Sequence, residues 1–304
     1  MNQDLSVRPT LTVFMPNYNH ARFLPRAIEA IASQSRQPDD FLIIDDGSSD
    51  NSVVIIKQYQ KKHPFIRLIA HQKNKGLMHI MGTILEHVTS DYLFGSAADD
   101  YVLTGFFENL MKAAAQYPQA GILFAPMVIE DEHGKKMGVA TPAGVKRQAY
   151  LSPQAYLEDF LRHEPPMNSY SASTVYRTAA LAAVGGFRPA LGPWCDTFAL
   201  RAAALRFGAY YLESPAAVWT KQHMSVSHIA RKNPHRMLGY VRQAAQLMRS
   251  KEFAPFFPQP YVARWQAGYV ASLYGGFLLS WLPVPTVFKD WVVRMGMIFI
   301  KYVL

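Results

Sequence analysis

The sequence contains a single cysteine, Cys195, and comparatively few acidic residues. One cysteine excludes an internal disulfide framework and fits a reducing compartment. The 304 residues include 22 acidic against 31 basic side chains, which leaves a net charge of +9. Such a charge suits an anionic partner and does not choose between a nucleotide, a phospholipid surface and a nucleic acid. The half-hydrophobic composition excludes a disordered chain.

The sequence also lacks a recognisable secretory signal, internal repeats and a long unbroken apolar run. The first residues include Asp4, and their short apolar run is interrupted by Pro16, so the cytoplasm is the expected location. The longest uncharged stretch, residues 265–288, is broken by the pair Gly275-Gly276 and by two prolines. Its length suffices for a bilayer, but its composition is poor for a membrane span.

The first hundred residues alternate between two periodicities. Short β-prone runs predict buried strands at residues 10–15, 41–44, 65–69 and 92–94. Apolar residues at helical spacing predict helices over residues 23–32, 53–59 and 77–88. The order βαβαβαβ predicts an α/β fold with a mostly parallel central sheet and helices on both faces.

After residue 104 the periodicity is weaker. It predicts, in chain order, a helix from Phe106, a strand-like run over 121–130 with a hairpin turn at 131–134, helices over 151–163, 178–184 and 196–207, and a strand over 173–177. Residues 210–212 and 217–220 are predicted to be short edge elements.

Polar segments follow three of the predicted strands. Residues 16–19 (PNYN) follow the first strand, residues 45–50 (DDGSSD) the second and residues 95–100 (GSAADD) the fourth. Ligands of open α/β sheets bind beyond the carboxyl ends of the strands. Two acidic pairs at one sheet edge are unfavourable unless a cation or a donor-rich ligand compensates them, so the sequence predicts a site there.

Five segments resemble, in order and spacing, the markers of family 2 glycosyltransferases. They are residues 13–19 (VFMPNYN), 43–50 (IIDDGSSD), 74–76 (NKG), 91–100 (DYLFGSAADD) and 176–187 (YRTAALAAVGGF). The resemblance, over residues 10–228, implies a GT-A (Rossmann-like) fold. Residues 1–103 would form the nucleotide-sugar-binding half, residues 104–230 the acceptor-binding and catalytic-base half, and residues 231–304 a helical apolar C-terminal extension.

The resemblance also implies the reaction. Family members transfer a sugar, with inversion, from a nucleotide-diphosphate donor to a hydroxyl group. The implied donor is a UDP-, dTDP- or GDP-linked sugar, and the implied acceptor is a glycan or lipid-linked glycan of a bacterial surface polysaccharide. Negative charge develops on the departing diphosphate, so a divalent cofactor, Mn²⁺ or Mg²⁺, is expected.

The metal ligands are expected at the second acidic pair. Asp99 corresponds to the metal-binding residue of the family's DxD-type motif, with Asp100 beside it. The usual aspartate two residues before Asp99 is replaced by Ala97, which leaves fewer ligands. Helix capping is the alternative role of the pair. His223 resembles a ligand in the family's closing segment, and a structural histidine is the alternative.

The nucleotide-sugar contacts are implied around the first two loops. Asp45 or Asp46 would hold the nucleoside, with helix capping as the alternative. The other residues expected around the donor are Pro16, Asn17, Tyr18, Asn19, Asn74, Gly76 and Trp194, and Arg177 would meet the pyrophosphate or brace the fold.

Asp196 is the expected catalytic base. It begins a predicted helix about ten residues after Gly186, where the family places the group that removes the acceptor proton. Such assistance is typically worth about 10² to 10⁴-fold in rate. A helix N-cap is the alternative, and both roles can coexist.

Other functions fit the sequence less well. A nucleotidyltransferase would carry a glycine-rich turn where this chain has PNYN. A non-catalytic nucleotide-binding or scaffold protein of GT-A fold is the alternative that Ala97 favours. No motif supports a nucleic-acid partner. The basic, apolar C-terminal segment is expected at the inner face of the bacterial membrane, with packing on the catalytic domain or on a second copy of the chain as alternatives.

Overall fold

A computed structural model describes residues 8–142, 144–145, 147–162, 170–221 and 233–280. The strands are β1 (Leu11–Asn17), β2 (Asp40–Asp45), β3 (Ile66–Ala70), β4 (Tyr92–Gly95), β5 (Tyr101–Val102), β6 (Ile122–Phe124), β7 (Met127–Asp131), β8 (Lys136–Ala140), β9 (Ala149–Leu151), β10 (Thr174–Arg177), β11 (Ala209–Tyr211) and β12 (Ala217–Lys221). The helices are α1 (Leu24–Ala32), α2 (Ser52–Lys62), α3 (Leu77–Thr83), α4 (Phe106–Gln116), α5 (Pro153–Arg162), α6 (Thr178–Ala183), α7 (Cys195–Phe207), α8 (Pro234–Met248) and α9 (Gln259–Ser280).

An eight-stranded sheet organises the fold, in the order β3-β2-β1-β4-β10-β6-β11-β9. Strands β3, β2, β1 and β4 are parallel to one another, as the sequence predicts. Strand β10 runs antiparallel to both β4 and β6, so the second half of the sheet is mixed. Because strands on both sides of residue 103 share this sheet, the two predicted halves form one continuous layer.

Burial explains the central strands. Strand β1 is buried at every position except Pro16, and β2 at every position except Asp40. A strand covered on both faces by helices has no solvent-facing side, which is why its sequence reads as a continuous apolar run. Helix α1 buries one stripe, Leu24, Ala27, Ile28, Ile31 and Ala32, against this sheet.

The third predicted helix is shorter than its apolar pattern suggests. Helix α3 ends at Thr83, and residues Ile84–His87 form a 3₁₀ turn. The Thr83 hydroxyl donates to the carbonyl of His79, 3.1 Å away. A side chain that bonds back to its own helix competes with the backbone ladder, which favours a change of helical geometry here.

The predicted strand over 121–130 is in fact two strands in two sheets. It divides at Ala125 and Pro126: β6 joins the large sheet, and β7 joins a four-stranded sheet of order β5-β12-β7-β8. The hairpin turn predicted at 131–134 is confirmed, since it connects β7 to β8. The prediction of edge elements is wrong, because β11 lies between β6 and β9 and β12 between β5 and β7.

Helices α8 and α9 pack on the rest of the fold through aromatic side chains. Trp194 contacts Trp265 and Tyr269 of α9, with ring centroids 5.3 and 3.9 Å away. Phe198 of α7 stacks on Phe257, at 5.8 Å. Within the described part of the chain, no helix combines the length and apolar character that crossing a membrane requires.

The core on one face of the large sheet generates a stability prediction. Phe107 is fully buried between Phe94 and Phe106, with ring centroids 5.5 and 5.2 Å away. We expect Phe107→Ala to lower the free energy of unfolding by about 3 to 5 kcal/mol, because it removes buried contacts and leaves a cavity. Urea unfolding measures this loss. The control Val54→Ala, at a 56% exposed position, should change stability by less than about 0.5 kcal/mol.

Candidate active site

The site lies where the direction of chain progression across the large sheet reverses. Strand β1 is flanked by β2 on one side and by β4 on the other. The loops after β1, β2 and β4 therefore lie at the carboxyl edge next to this reversal, where ligands of open α/β sheets bind. These loops carry residues 16–19, 45–50 and 95–100.

Asp45 ties the loop after β2 to the end of β1. Its carboxylate is buried and accepts hydrogen bonds from Asn17 Nδ2 (2.7 Å), the Ser48 amide (2.9 Å) and the Ser48 hydroxyl (2.6 Å). Asn17 is itself 2% exposed. The described contacts of Asp45 are thus internal to the two loops and fix their relative position.

Asn19 extends this connection. Its backbone has φ of 54°, the left-handed region that asparagine tolerates better than most residues. In this conformation its Oδ1 accepts from the amides of Ser49 (2.8 Å) and Asp50 (3.3 Å). Tyr18 lies between Asn17 and Asn19 in the chain and is itself 45% exposed.

Asp46 holds the loop after β3. It accepts hydrogen bonds from His71 Nδ1 (2.8 Å) and from the amides of Lys75 (2.9 Å) and Gly76 (2.7 Å). Burial alone would raise the pKa of Asp46, but these three donors lower it below the usual value. Gly47 has φ of 73°, and a Cβ there would lie 2.8 Å from the Lys73 carbonyl carbon, so the loop passes directly over the turn. Asn74, on this loop, is exposed.

The acidic turn after β4 is held by the second sheet. Asp100 is buried, and its Oδ1 accepts from the Thr220 amide of β12 at 2.8 Å. Arg26 of α1 donates to the Asp99 carbonyl (3.1 Å) and to Thr220 Oγ1 (3.3 Å). Burial raises the pKa of Asp99, and burial together with the neighbouring Asp99 charge raises that of Asp100. The pair therefore favours a bound cation, which would compensate both carboxylates.

Asp196 belongs to the same edge of the sheet. It lies in the first turn of α7 and is hydrogen-bonded to the side chain of Ser171. Ser171 precedes β10, whose antiparallel pairing with β4 places its start beyond the carboxyl end of β4. Burial raises the pKa of Asp196, although bonds from Ser171 and Thr197 oppose the shift. A carboxylate with a raised pKa is a better proton acceptor.

The turn that leads into Asp196 is braced by α8. Residues Pro189–Trp194 form this turn, and Gly192 within it has φ of 55°. A Cβ on Gly192 would lie 2.6 Å from Cζ of Tyr240 in α8. Glycine is thus required both for the backbone conformation and for the contact with the Tyr240 ring.

Two of the predicted site residues, Arg177 and Trp194, make packing contacts in the structure. Arg177 pairs with Tyr92 at the start of β4, so it lies at the opposite edge of the sheet from Asp99. It donates to the Ala120 carbonyl and covers Phe207, which fits the bracing alternative. Trp194 is 8% exposed and packs on α9. His223 lies outside the described residues.

The Cys195 thiol is buried, and burial raises its pKa, so it packs rather than reacts.

The sequence interpretation missed the residues that support the acids. Arg26 bonds to the backbone of Asp99, and Ser48 bonds to the carboxylate of Asp45. His71 and Thr220 bond to the carboxylates of Asp46 and Asp100, respectively. Only Ser48 had a sequence signal, as the serine after Asp45-Asp46-Gly47. The other three come from helix α1, the end of β3 and β12, so their contacts depend on the tertiary fold.

Residues 12–184 match the family model for glycosyl transferase family 2. Since this match spans more than half of the 304 residues, the chain belongs to family 2 of the glycosyltransferases. The glycosyltransferase YibD of Escherichia coli is 35% identical over 106 residues, which are 35% of this chain and 30% of YibD. The minor teichoic acid biosynthesis protein GgaB of Bacillus subtilis is 31% identical over 102 residues, 33% of this chain and 11% of GgaB. These matches span less than a third of the relatives.

Solved structures confirm the GT-A fold. TarS of S. aureus, crystallised with UDP-GlcNAc, aligns with a TM-score of 0.64 and 16% identity over 88% of this chain and 72% of the TarS chain. The mannosyltransferase PcManGT of Pyrobaculum calidifontis, crystallised with GDP-Man and Mn²⁺, aligns with a TM-score of 0.58 and 18% identity over 99% of this chain and 83% of that one. At these identities the likeness concerns the fold.

The three hydrogen bonds to Asp46 generate a pH-dependent prediction. We expect Asp46→Asn to lower the free energy of unfolding at pH 7 by about 2 kcal/mol, because a neutral amide accepts these donors less well. The lowered pKa of Asp46 means that its stabilisation is complete above the unfolded pKa, near 3.9, and is lost as the pH falls through the lower folded value. The difference between wild type and variant should therefore shrink below about pH 4.

Urea unfolding of both proteins at pH 7 and pH 3 measures this difference. Glu86→Gln serves as the control, since Glu86 is exposed. An equal deficit of Asp46→Asn at both pH values would contradict the charge-based account of this contact.

Proposed function

We propose that the protein transfers one sugar, with inversion, from a nucleotide-diphosphate donor to a hydroxyl group of a bacterial surface glycan or its lipid-linked precursor. The observation that carries the proposal is the common location of Asp99 and Asp196. Asp99 lies in the acidic turn at the carboxyl edge of the large sheet. Asp196 lies at the same edge, hydrogen-bonded to Ser171 just before β10. A transfer needs these two groups on either side of one anomeric carbon.

The nucleotide-sugar is proposed to bind over the loops after β1, β2 and β3. Tyr18 offers an exposed ring for the base, and Pro16, Asn17 and Asn19 shape the same loop. Asp45 and Asp46 act chiefly by holding the loops that surround the nucleoside, because donors of this chain occupy their carboxylates. Asn74 and Gly76 lie on the loop that Asp46 anchors, and Asn74 is free to face the ligand.

The acidic turn suits a divalent cation held together with the donor. Mg²⁺ is commonly bound by one or two carboxylates plus the phosphates of a substrate. Asp99 supplies one such carboxylate, and Asp100 retains Oδ2 after its bond to Thr220. Among the described residues, no cluster of three or more acidic, histidine or cysteine side chains could hold a metal by itself. The diphosphate is expected to contribute oxygen ligands to the cation, and Mn²⁺ or Mg²⁺ would stabilise the leaving group.

Asp196 is proposed to act as the general base. The acceptor hydroxyl gives its proton to the Asp196 carboxylate while its oxygen forms a bond to the anomeric carbon. The bond between that carbon and the diphosphate oxygen breaks, and its electron pair leaves with the diphosphate. Attack opposite the leaving group inverts the configuration. Ser171 and Thr197 orient the base through their bonds to its carboxylate.

A bacterial surface glycan is the acceptor class that the comparisons favour. GgaB is by name a teichoic acid biosynthesis protein, and this chain matches part of it. The net charge of +9 also suits an acceptor carried on an anionic lipid or polymer. The sugar transfer is proposed to occur at the cytoplasmic face of the membrane, where nucleotide-sugars are supplied.

Replacement of the two acids tests the transfer. We expect Asp196→Asn to lower kcat at least about 100-fold with little change in nucleotide affinity, because it removes only the base. Asp99→Ala should weaken metal-dependent donor binding. The raised pKa of Asp196 predicts that kcat/KM of the wild type falls, as the pH drops, at a higher pH than an ordinary aspartate would give.

Release of nucleoside diphosphate from a donor sugar measures these rates. Glu108→Gln is the matched control, because its carboxylate bonds to Ser35 and Lys112 outside the site. Wild-type transfer by both Asp99→Ala and Asp196→Asn would sink the mechanism.

A nucleotide panel tests the donor and separates the enzyme from the scaffold alternative. UDP, GDP, dTDP and CMP are each added with and without Mn²⁺ in a thermal-shift experiment. A ligand at a hundred times its Kd adds about 2.7 kcal/mol of stability. We expect one diphosphate to raise the Tm and Mn²⁺ to enlarge the effect. No shift with any nucleotide would favour a scaffold in which Ala97 has ended donor binding.

A further inference from the structure

Helix α8 carries positive charge without any negative charge. From Asn233 to Lys251 the sequence contains four lysine or arginine residues and no acidic residue. All four are exposed. The basic face of α8 consists of Arg242 with Arg249 and Lys251, which follow the last turn, whereas Arg236 lies about 120° around the helix from Arg242. Arg242 and Arg249 are seven residues, or two turns, apart, so they point to the same side of the helix.

The charge of these four residues is not compensated by carboxylates. Arg236 Nε donates to the Tyr240 hydroxyl (3.1 Å), and Arg249 donates to the side-chain oxygens of Gln259 (3.3 Å) and Gln266 (3.1 Å). These acceptors are neutral. In the part of the chain that the structure describes, no carboxylate lies within 4 Å of the four cationic groups, and the neighbouring Glu252 pairs with Arg188.

The other side of α8 packs next to the proposed catalytic base. Met237, Val241 and Ala244 are buried, and Tyr240 closes on Gly192. Gly192 belongs to the turn Pro189–Trp194, which continues into α7 and Asp196. The basic face of α8 is therefore the outer surface of the element that braces the base.

We propose that the basic face of α8 docks the protein onto the anionic headgroups of a phospholipid bilayer. An extended anionic surface can contact several neighbouring cations at once, which suits the three exposed basic residues Arg242, Arg249 and Lys251. Docking through α8 would hold the turn before Asp196 close to the lipid surface, where a lipid-linked acceptor presents its hydroxyl. This last step rests on the proposed function, whereas the docking itself does not.

Vesicle binding by the full chain tests the proposal. The protein is sedimented with vesicles of phosphatidylcholine alone or of equimolar phosphatidylcholine and phosphatidylglycerol, at low and high salt. The test variant combines Arg242→Gln, Arg249→Gln and Lys251→Gln, which leaves the Arg236 to Tyr240 bond intact. The control combines Lys57→Gln, Lys61→Gln and Lys62→Gln on α2, which removes the same charge from another exposed basic helix.

We expect salt-sensitive binding to the anionic vesicles only. The α8 variant should bind roughly fivefold more weakly for each cation removed, about a hundredfold in total, because each basic residue near an anionic surface contributes about 1 kcal/mol. The α2 control should bind more nearly as wild type does.

Three results would overturn the proposal. One is equal vesicle binding by the α8 variant and wild type, and another is an equal loss of vesicle binding in the α8 and α2 variants. The third is retention of a nucleic-acid oligonucleotide through α8 without any vesicle binding. Nucleotide thermal shifts of the same proteins show that the variants are folded. If the protein binds vesicles and no nucleotide, the proposed transfer is refuted and the docking surface stands. If it binds a nucleotide and no vesicles, the docking surface is refuted and the proposed transfer stands.

Discussion

Three buried carboxylates at one edge of the large sheet constrain the rest of the site. Asp45, Asp46 and Asp100 are each below 10% exposed, and an uncompensated charge so placed would be strongly destabilising. Each is satisfied by a different part of the chain: Asp45 by the β1 and β2 loops, Asp46 by the loop after β3, and Asp100 by β12. These hydrogen bonds fix the loops after β1, β2 and β3 and strand β12 against the three acids. The same contacts therefore stabilise this edge of the sheet and shape the candidate site.

The first hundred residues could be predicted closely from the sequence. Strands β1 to β4 and helices α1 and α2 follow runs with a recognisable pattern, because the strands are mostly apolar and the helices are apolar on one face. The carboxyl-edge location of Asp45, Asp46 and Asp99 followed from the parallel order alone. What periodicity could not give was the end of α3, where the Thr83 hydroxyl bonds back to the helix.

Beyond residue 104 the sequence predicted elements but not their directions or their sheets. A short apolar run has the same pattern whether its strand is parallel or antiparallel, so nothing indicated that the end of β10, with Arg177, lies at the edge away from Asp99. The division of residues 121–130 between two sheets likewise depends on tertiary pairing on either side of Pro126. The resemblance implies Trp194 around the donor, but its ring packs on Tyr269 of α9, a contact that sequence spacing alone does not indicate.

The close approach of the Lys73 backbone to Gly47 also bears on the binding of the proposed nucleotide. Because the loops after β1, β2 and β3 are joined by hydrogen bonds without a ligand, binding here would require little further ordering of these loops. Little conformational entropy would then be lost on association, and preorganisation of this kind favours affinity. Loops held in this way would favour ligands whose shape already matches them.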